Sequence, residues 1–263
     1  MQIFKTPLGK EGLTSYGIDT YTKKRGQDVY DKYYASQYDT VQHNNERMKC
    51  EINAIQKYQT EGSKTESLLD IGSGTGHLIN ELKTTMKCIG IDKSEHMVLR
   101  AKFKYPDNTY VKKNMLDSMI FYPNQFTHVS CTYFTIYYIK NKYLLFQNCH
   151  KWLVPKGYLF IHMVDKTQFM KDGGDFKTPK SFKRYTYKSE FSKETEDDEQ
   201  YQFKETFTDK KTSNQRINEH KLYMNTQREI LSLAKQAKFD LVEVIDMKKC
   251  DYEYNYIYVL QKT

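Results

Sequence analysis

No run of 18 apolar residues occurs in the 263-residue sequence, so no segment is suited to cross a bilayer as a helix. The start, Met1 to Gly12, lacks the apolar stretch of a secretion signal. Together these absences predict an intracellular, cytoplasmic protein with no membrane partner. The five cysteines, at 50, 88, 131, 149 and 250, are odd in number and show no C-x-x-C spacing. That pattern counts against a disulfide framework and a zinc site, so no metal is expected and the cysteines read as small buried apolar groups. No internal repeat is visible. Charge of one sign is also not abundant: 41 basic against 33 acidic residues give a net +8, spread along the chain. This is a weak attraction for anions rather than a nucleic-acid signature.

What the chain does have is aromatic mass. Hydrophobic residues make up only 38% and mean hydropathy is −0.80, but 23 Tyr and 14 Phe bring the aromatic share to 14%. Such side chains can carry a core and keep the sequence out of the disordered class. The length allows one large domain or two small ones.

The stretch to about residue 60 reads as mainly helical without strand rhythm. Helices are expected over Gln27–Tyr34 and Asn44–Tyr58, before a polar break at 60–64. From Ser67 short apolar runs alternate with helical patterns. The runs are Leu68–Ile71, Cys88–Ile91, Thr109–Val111, Phe126–Cys131 and Tyr158–Val164. Helices are predicted at Gly76–Lys83, Ser94–Lys104 and Lys142–Leu153. This alternation predicts an α/β fold, a doubly wound parallel sheet with helices on both faces. Residues 166–225 break the rhythm, and it resumes with a helix over Thr226–Lys238 and strands at Leu241–Asp246 and Tyr254–Leu260.

The segment richest in chemistry is Leu68-Leu69-Asp70-Ile71-Gly72-Ser73-Gly74-Thr75-Gly76-His77. An apolar strand runs into a glycine-rich turn from which a helix opens. Glycines let the backbone turn tightly and approach a ligand, and the helix start offers free N–H groups. The spacing is G-x-G-x-G, and His77 falls where a dinucleotide fingerprint has its third glycine. Asp70, two residues before Gly72, suits an ammonium better than a pyrophosphate. The next strand ends in Asp92, 20 residues past Gly72, where a carboxylate can bind ribose hydroxyls. The site therefore calls for a ribose and a cationic group beside the turn.

This combination resembles the class I S-adenosylmethionine-dependent methyltransferases, from about Tyr33 to the C-terminus. Asp70, Gly72, Ser73, Gly74 and Gly76 match the family's first motif. Asp92, Lys93 and Met97 match the acidic ribose residue and the apolar residue beside adenine, although Met97 is equally explained as helix core. Lys113-Asn114-Met115-Leu116-Asp117 stands where the family has Gly-Asp-x-x-Asp, so Asn114 and Met115 would face adenine. Phe126–Cys131 and Leu153–Ile161 match its fourth and fifth strands. Cys131, which ends that fourth run, is counted with the cofactor-binding residues and reads either as a nucleophile, as in 5-methylcytosine formation, or as a buried strand-end thiol. Tyr34 and Tyr38, at i and i+4, resemble the helix that covers the methionine end, or they simply pack.

The resemblance implies a mostly parallel seven-stranded sheet with the last strand antiparallel, and S-adenosylmethionine as cofactor. Residues 1–62 would be a helical cap, 63–165 and 226–263 the core, and 166–225 an antiparallel lid after strand five. In the lid, Phe182–Tyr187 and Tyr201–Phe207 would pair around an acidic tip at 194–199, with Arg216–Met224 as a third strand. Alternation puts Arg216, Asn218, His220 and Leu222 on one face, taken as the substrate side. Tyr133 and His162 are the other candidate substrate residues, and no general base is assigned. The expected reaction is methyl transfer to nitrogen or oxygen of a small molecule. The alternatives are an RNA or DNA methyltransferase, for which Cys131-Thr132-Tyr133-Phe134 lacks the Asn/Asp-Pro-Pro-Tyr/Phe tetrad, and a non-enzymatic cofactor-binding subunit.

Overall fold

Strands buried on both faces build the centre of the protein. The computed structural model describes residues 18, 20–172, 179–193 and 199–263. Among them, β2 (Ser67–Ile71), β3 (Lys87–Asp92), β4 (Thr109–Lys112), β5 (Phe126–Cys131), β6 (Leu153–Val164), β11 (Phe239–Asp246) and β12 (Asn255–Lys262) form one sheet in the order β11-β12-β6-β5-β2-β3-β4. Every residue of β5 is buried, as expected for a central parallel strand covered by helices on both sides. β2 pairs in parallel with β3 and β5, whereas β12 runs antiparallel to both β6 and β11. The chain leaves β2 toward β3 and later returns to its other side as β5. The carboxyl ends of β2 and β5 thus flank a topological switch point, where α/β sheets bind ligands.

Helices α1 (Lys32–Gln42), α2 (Asn45–Gln56), α3 (His77–Leu82), α4 (Glu95–Lys104), α5 (Lys142–Trp152), α6 (Lys166–Asp172) and α7 (Gln227–Gln236) lie between the strands in sequence. Several starts follow from single side chains. Asp31, Asn44, Ser94 and Asn141 each accept a hydrogen bond from the amide three residues on, and Thr226 with Glu229 forms a capping box. Two apolar clusters result. One holds Leu69, Ile71, Val129, Ile161 and Trp152, the other Leu68, Leu82, Phe160, Ile257 and Val259. Since Leu68 and Leu69 are neighbours in one strand, they point to opposite sides of the sheet.

The break in rhythm after residue 165 is a second sheet. It contains β1 (Thr22–Arg25), β7 (Lys180–Ser181), β8 (Tyr185–Lys193), β9 (Gln200–Asp209) and β10 (Gln215–Tyr223), in the order β1-β10-β9-β8-β7. The three long strands are antiparallel, and the expected pairing is present with Tyr187 opposite Phe207 and His220 opposite Phe203. Residues 194–198 of the expected acidic tip lie outside the described residues. Arg216, Asn218, His220 and Leu222 are buried on one face, as alternation requires.

Three expectations are corrected. The N-terminal stretch is not wholly helical: β1 (Thr22–Arg25) adds to the second sheet, parallel to β10. The helix expected at Gln27 is only a 3-10 turn, Gly26–Val29, and α1 starts at Lys32 once Asp31 caps it. Cys50 and Cys250 form a disulfide with Cα atoms 6.5 Å apart across 200 residues of sequence, a pairing that spacing rules cannot see because the fold alone brings the two together.

Candidate active site

The glycine-rich turn is held by the neighbouring strand. The amides of Gly72 and Ser73 both donate to the Ile91 carbonyl at 2.9 Å. Gly72, Gly74 and Gly76 all have positive φ, at 71°, 54° and 85°. At Gly76 a Cβ would sit 2.5 Å from the Tyr110 hydroxyl, so only glycine lets β4 pack this close. Asp92, at the end of β3, accepts from the Gly74 amide at 3.0 Å and the Ser94 amide at 2.8 Å. One carboxylate thus joins the turn to the start of α4. Burial pushes its pKa up to about 6 although these amides pull it down.

A cavity opens beside this turn. Its walls include Gly72, Gly74, Asp92, Lys93, Met97, Asn114 and Met115, together with Tyr34 and Tyr38 of α1. Nine of the expected cofactor residues therefore share one space. The Asn114 side-chain oxygen accepts from the Leu116 amide at 3.2 Å, which leaves its NH2 group for a ligand. The same cavity continues past Tyr133, Phe134 and Tyr138 to Phe191, Phe203 and Leu222 of the second sheet.

A smaller recess adjoins it, lined by Asp70, Ser73 and Gly76 and by Arg47 and Glu51 of α2. Asp70 is buried and accepts from Ser130 Oγ at 2.7 Å, and burial raises its pKa to about 7. Glu51 is raised to about 7 by burial, which outweighs the nearby Arg47. Arg47 Nε and Glu51 Oε1 lie 3.6 Å apart without a hydrogen bond between them. With Ser73 Oγ they are buried polar atoms without a hydrogen-bond partner. Such atoms are costly unless a ligand completes them. A guanidinium and hydroxyl beside two carboxyls match the carboxylate and ammonium of an amino acid. The recess thus fits the methionine end of S-adenosylmethionine.

Helix α1 is pinned to the turn by Asp39. It accepts from Thr75, lies 2.6 Å from Lys104 Nζ and 3.1 Å from His77 Nε2. These hydrogen bonds hold the Asp39 carboxyl far below the usual range against the opposing effect of burial.

Other expected site residues sit elsewhere. Cys131 is wholly buried in the core cluster and lines neither space, and burial pushes its thiol far up. His162 is enclosed: Nδ1 accepts from the Tyr133 amide at 3.2 Å and Nε2 meets Asn255 Oδ1 at 2.9 Å. Burial lowers it to about 4, so it is a neutral support for Tyr133. Arg216 is spent on Asp31 at 2.9 Å, the Val29 carbonyl at 3.0 Å and Asn218 at 2.9 Å. His220 lies behind the wall, against Glu205 and Tyr138. Tyr133 does line both spaces, and its hydroxyl donates to Gln42 at 2.6 Å.

The residues missed by sequence reasoning are charged groups on buried faces. Arg47 and Glu51 fall in phase with Met48, Ala54 and Ile55 on α2, and Glu205 lies between Phe203 and Phe207 on the inward face of β9. A charge in phase with an apolar stripe was the signal.

Comparison with known proteins agrees with this geometry. Residues 41–244 match the family model described as a methyltransferase domain. No curated protein matches the chain. Among solved structures, an S-adenosylmethionine-dependent methyltransferase from Clostridium acetobutylicum superposes with a TM-score of 0.68 at 15% identity, over 87% of this chain and 97% of that one. The CcbJ methyltransferase from Streptomyces caelestis gives 0.67 at 13%, over 86% and 98%. An S-adenosylmethionine-bound amino pentose methyltransferase from Micromonospora echinaspora, involved in calicheamicin biosynthesis, gives 0.65 at 14%, over 89% and 97%. The sheet order and cofactor turn define a class I methyltransferase fold, and the chain belongs to the methyltransferase-domain family. It is an enzyme that takes its methyl group from S-adenosylmethionine.

Proposed function

We propose that the enzyme methylates a nitrogen or oxygen of a small molecule held between the cofactor turn and the second sheet. The observation that carries this is the continuous cavity, walled at one end by Gly72, Gly74 and Asp92 and at the other by Phe191, Phe203 and Leu222. An acceptor at the second end would lie against aromatic and aliphatic faces, so its body is apolar or presents a flat ring. In this reading the described strands of the segment 166–225, β7 to β10, are the lid over the acceptor. That one structural neighbour is described as an amino pentose methyltransferase is in keeping with this assignment. An RNA or DNA acceptor would rest on the net +8 and on the abundance of tyrosines able to stack on bases. A cytoplasmic location belongs to the same reading, and the Cys50–Cys250 disulfide is the observation that counts against it.

Each part of the cofactor has residues to hold it. Asp92 would accept from the ribose hydroxyls. Met97, Asn114, Met115 and Leu116 would surround adenine, and Asp70 with Glu51 would take the ammonium while Arg47 takes the carboxylate. S-adenosylmethionine supplies an electrophilic sulfonium methyl. The protein's part is to align the acceptor lone pair behind that methyl and keep water out, which Tyr34, Tyr38, Tyr133, Phe134 and Tyr138 are placed to do.

Replacing Asp92 with Ala tests the cofactor site. Charge-assisted hydrogen bonds are worth about 1.5–3 kcal/mol, so calorimetry should show binding weakened about tenfold or more. NAD, as control ligand, should not bind. Unchanged affinity in a folded D92A protein would refute the assignment. For the acceptor, labelled cofactor is incubated with a fractionated metabolite pool and with mixed RNA in parallel. Label in a small molecule supports the proposal, and label in RNA alone overturns it.

A further inference from the structure

The most heavily hydrogen-bonded side chain behind the cavity is Glu205, which is fully buried on β9. Its Oε1 accepts from Tyr34 at 2.9 Å, Gln42 at 3.0 Å and Tyr187 at 2.8 Å. Its Oε2 accepts from Asn218 at 3.2 Å and meets His220 Nε2 at 2.8 Å. Burial works to raise this carboxyl, but the hydrogen bond and the charge that His220 offers it, with hydrogen bonds from Tyr187 and Tyr34, outweigh burial and hold the pKa below the usual value. Glu205 is therefore an ionised, saturated acceptor. Asn218 receives a hydrogen bond from Arg216, which places a permanent positive charge one side chain away.

In a neutral imidazole, an ionised acceptor at His220 Nε2 places the ring proton on that nitrogen. Nδ1 is then a lone pair, and it lies 3.2 Å from the Tyr138 hydroxyl. Tyr138 and Tyr30 both line the cavity, with their rings edge-to-face and centroids 6.2 Å apart. A continuous path thus runs from a buried carboxylate through an imidazole to the Tyr138 phenol on the cavity wall. The remaining neighbours of the imidazole are the rings of Tyr30, Tyr34 and Phe203. Burial raises the Tyr30, Tyr34 and Tyr138 phenols, so they stay neutral and pass protons rather than keep a charge.

We propose that Glu205, His220 and Tyr138 form a proton relay in which His220 takes, by way of Tyr138, the proton that the acceptor releases on methylation. The proposal rests on the methyltransfer reading above. An acceptor N–H or O–H loses its proton to the Tyr138 oxygen as the Tyr138 hydroxyl proton passes to His220 Nδ1. The acceptor lone pair forms the new bond to the methyl carbon, and the carbon–sulfur bonding pair stays on sulfur. The sulfonium loses its positive charge, and His220 gains one as an imidazolium paired with Glu205. The proton returns by the same path when the product leaves. General bases of this type contribute about 10²–10⁴-fold. Tyr138 is the catalytic residue in this scheme, because it faces the acceptor. His220 acts through it, and Glu205 sets the tautomer.

Two measurements test the relay. The first needs no acceptor. Nitrogen NMR of the full chain with 15N-labelled histidine, saturated with S-adenosylmethionine at pH 7.5, should show His220 neutral with its proton on Nε2. Tyr138→Phe should shift the Nδ1 resonance alone. A proton on Nδ1, or a permanent imidazolium, overturns the relay, because Nδ1 then cannot receive a proton. The second uses whichever acceptor gains label from the metabolite pool. Tyr138→Phe and His220→Gln should lower kcat about 100-fold or more, with cofactor affinity kept within about twofold. Their residual rates should rise with pH across the range where wild type is flat. A loss seen only in KM, or equal at every pH, would mean that these residues merely shape the wall, and would overturn the relay. If wild type fails to bind S-adenosylmethionine, the methyltransfer reading fails instead, and calorimetry separates the two cases.

Discussion

The guanidinium of Arg47 lies 3.6 Å from the ring centroid of Tyr133, on whose face it stacks. Both Tyr133 and Phe134 have left-handed backbones, with φ of 42° and 58°. Non-glycine residues rarely adopt this conformation, and two in succession need support. Support comes from Arg47 above the ring, Gln42 at the hydroxyl and His162 at the amide. The strain sits where the smaller recess and the larger cavity meet, since Tyr133 lines both.

Arg47 braces Tyr133 and, in the proposed cofactor site, would receive the cofactor carboxylate. Arg47→Lys keeps the charge but loses the planar stack and the fork of donors. S-adenosylmethionine should bind about tenfold more weakly to this variant, a loss near 1.4 kcal/mol. Decarboxylated S-adenosylmethionine should show a much smaller difference between variant and wild type in the same calorimeter. An equal loss for both ligands would show that Arg47 serves only Tyr133.

Cofactor binding should depend on pH. In the cofactor-free protein burial raises Glu51 and Asp70 to about 7 and Asp92 to about 6. For carboxyls raised in this way, the stabilising contribution is full below their ordinary values near 4. It is lost as pH rises through 6 to 7. A bound ammonium and ribose favour the ionised forms, so binding should release protons in that window. The cofactor-induced rise in Tm should therefore be larger at pH 8 than at pH 5.5. A pH-independent rise would show that these carboxyls do not meet the ligand.

At Gly76 even one added carbon is costly. A Cβ would meet Tyr110 at 2.5–2.7 Å, at a φ that side chains rarely adopt. Overpacking of this kind costs about 1–3 kcal/mol, and the left-handed backbone adds about 1–2 kcal/mol. Urea unfolding of Gly76→Ala should show the loss directly. Tyr110→Phe should not rescue it, because the ring carbon itself is 2.6 Å away.

The Cys50–Cys250 disulfide ties α2, which carries Arg47 and Glu51, to the turn after β11. Breaking it by Cys50→Ser should lower unfolding stability by about 2–4 kcal/mol. Reductant should reproduce the effect in wild type and leave the variant unchanged. If reductant shifted both equally, the loss would not come from this bond.

The cofactor turn was legible in the sequence because its chemistry is local. Asp70, Gly72, Gly74, Gly76 and Asp92 lie within 23 consecutive residues of one strand–helix–strand unit. Turn, cap and strand are there dictated by glycine conformation, Ser94 and apolar runs. Strand alternation likewise put Arg216, Asn218, His220 and Leu222 on one face. Which of them reach a ligand was not encoded at that range. Arg216 turns away because Asp31 and the Val29 carbonyl, 185 and 187 residues distant, offer it partners. His220 is hydrogen bonded to the cavity wall through Tyr138, 82 residues upstream. β1 becomes a strand because an open edge of β10 lies beside it, not through its own sequence Thr-Lys-Lys-Arg. Periodicity names a face, but contact between faces is decided by how helices and sheets pack. That packing sets the environment of Glu205: on an isolated strand it is an ordinary charge, and in the fold it accepts from five donors.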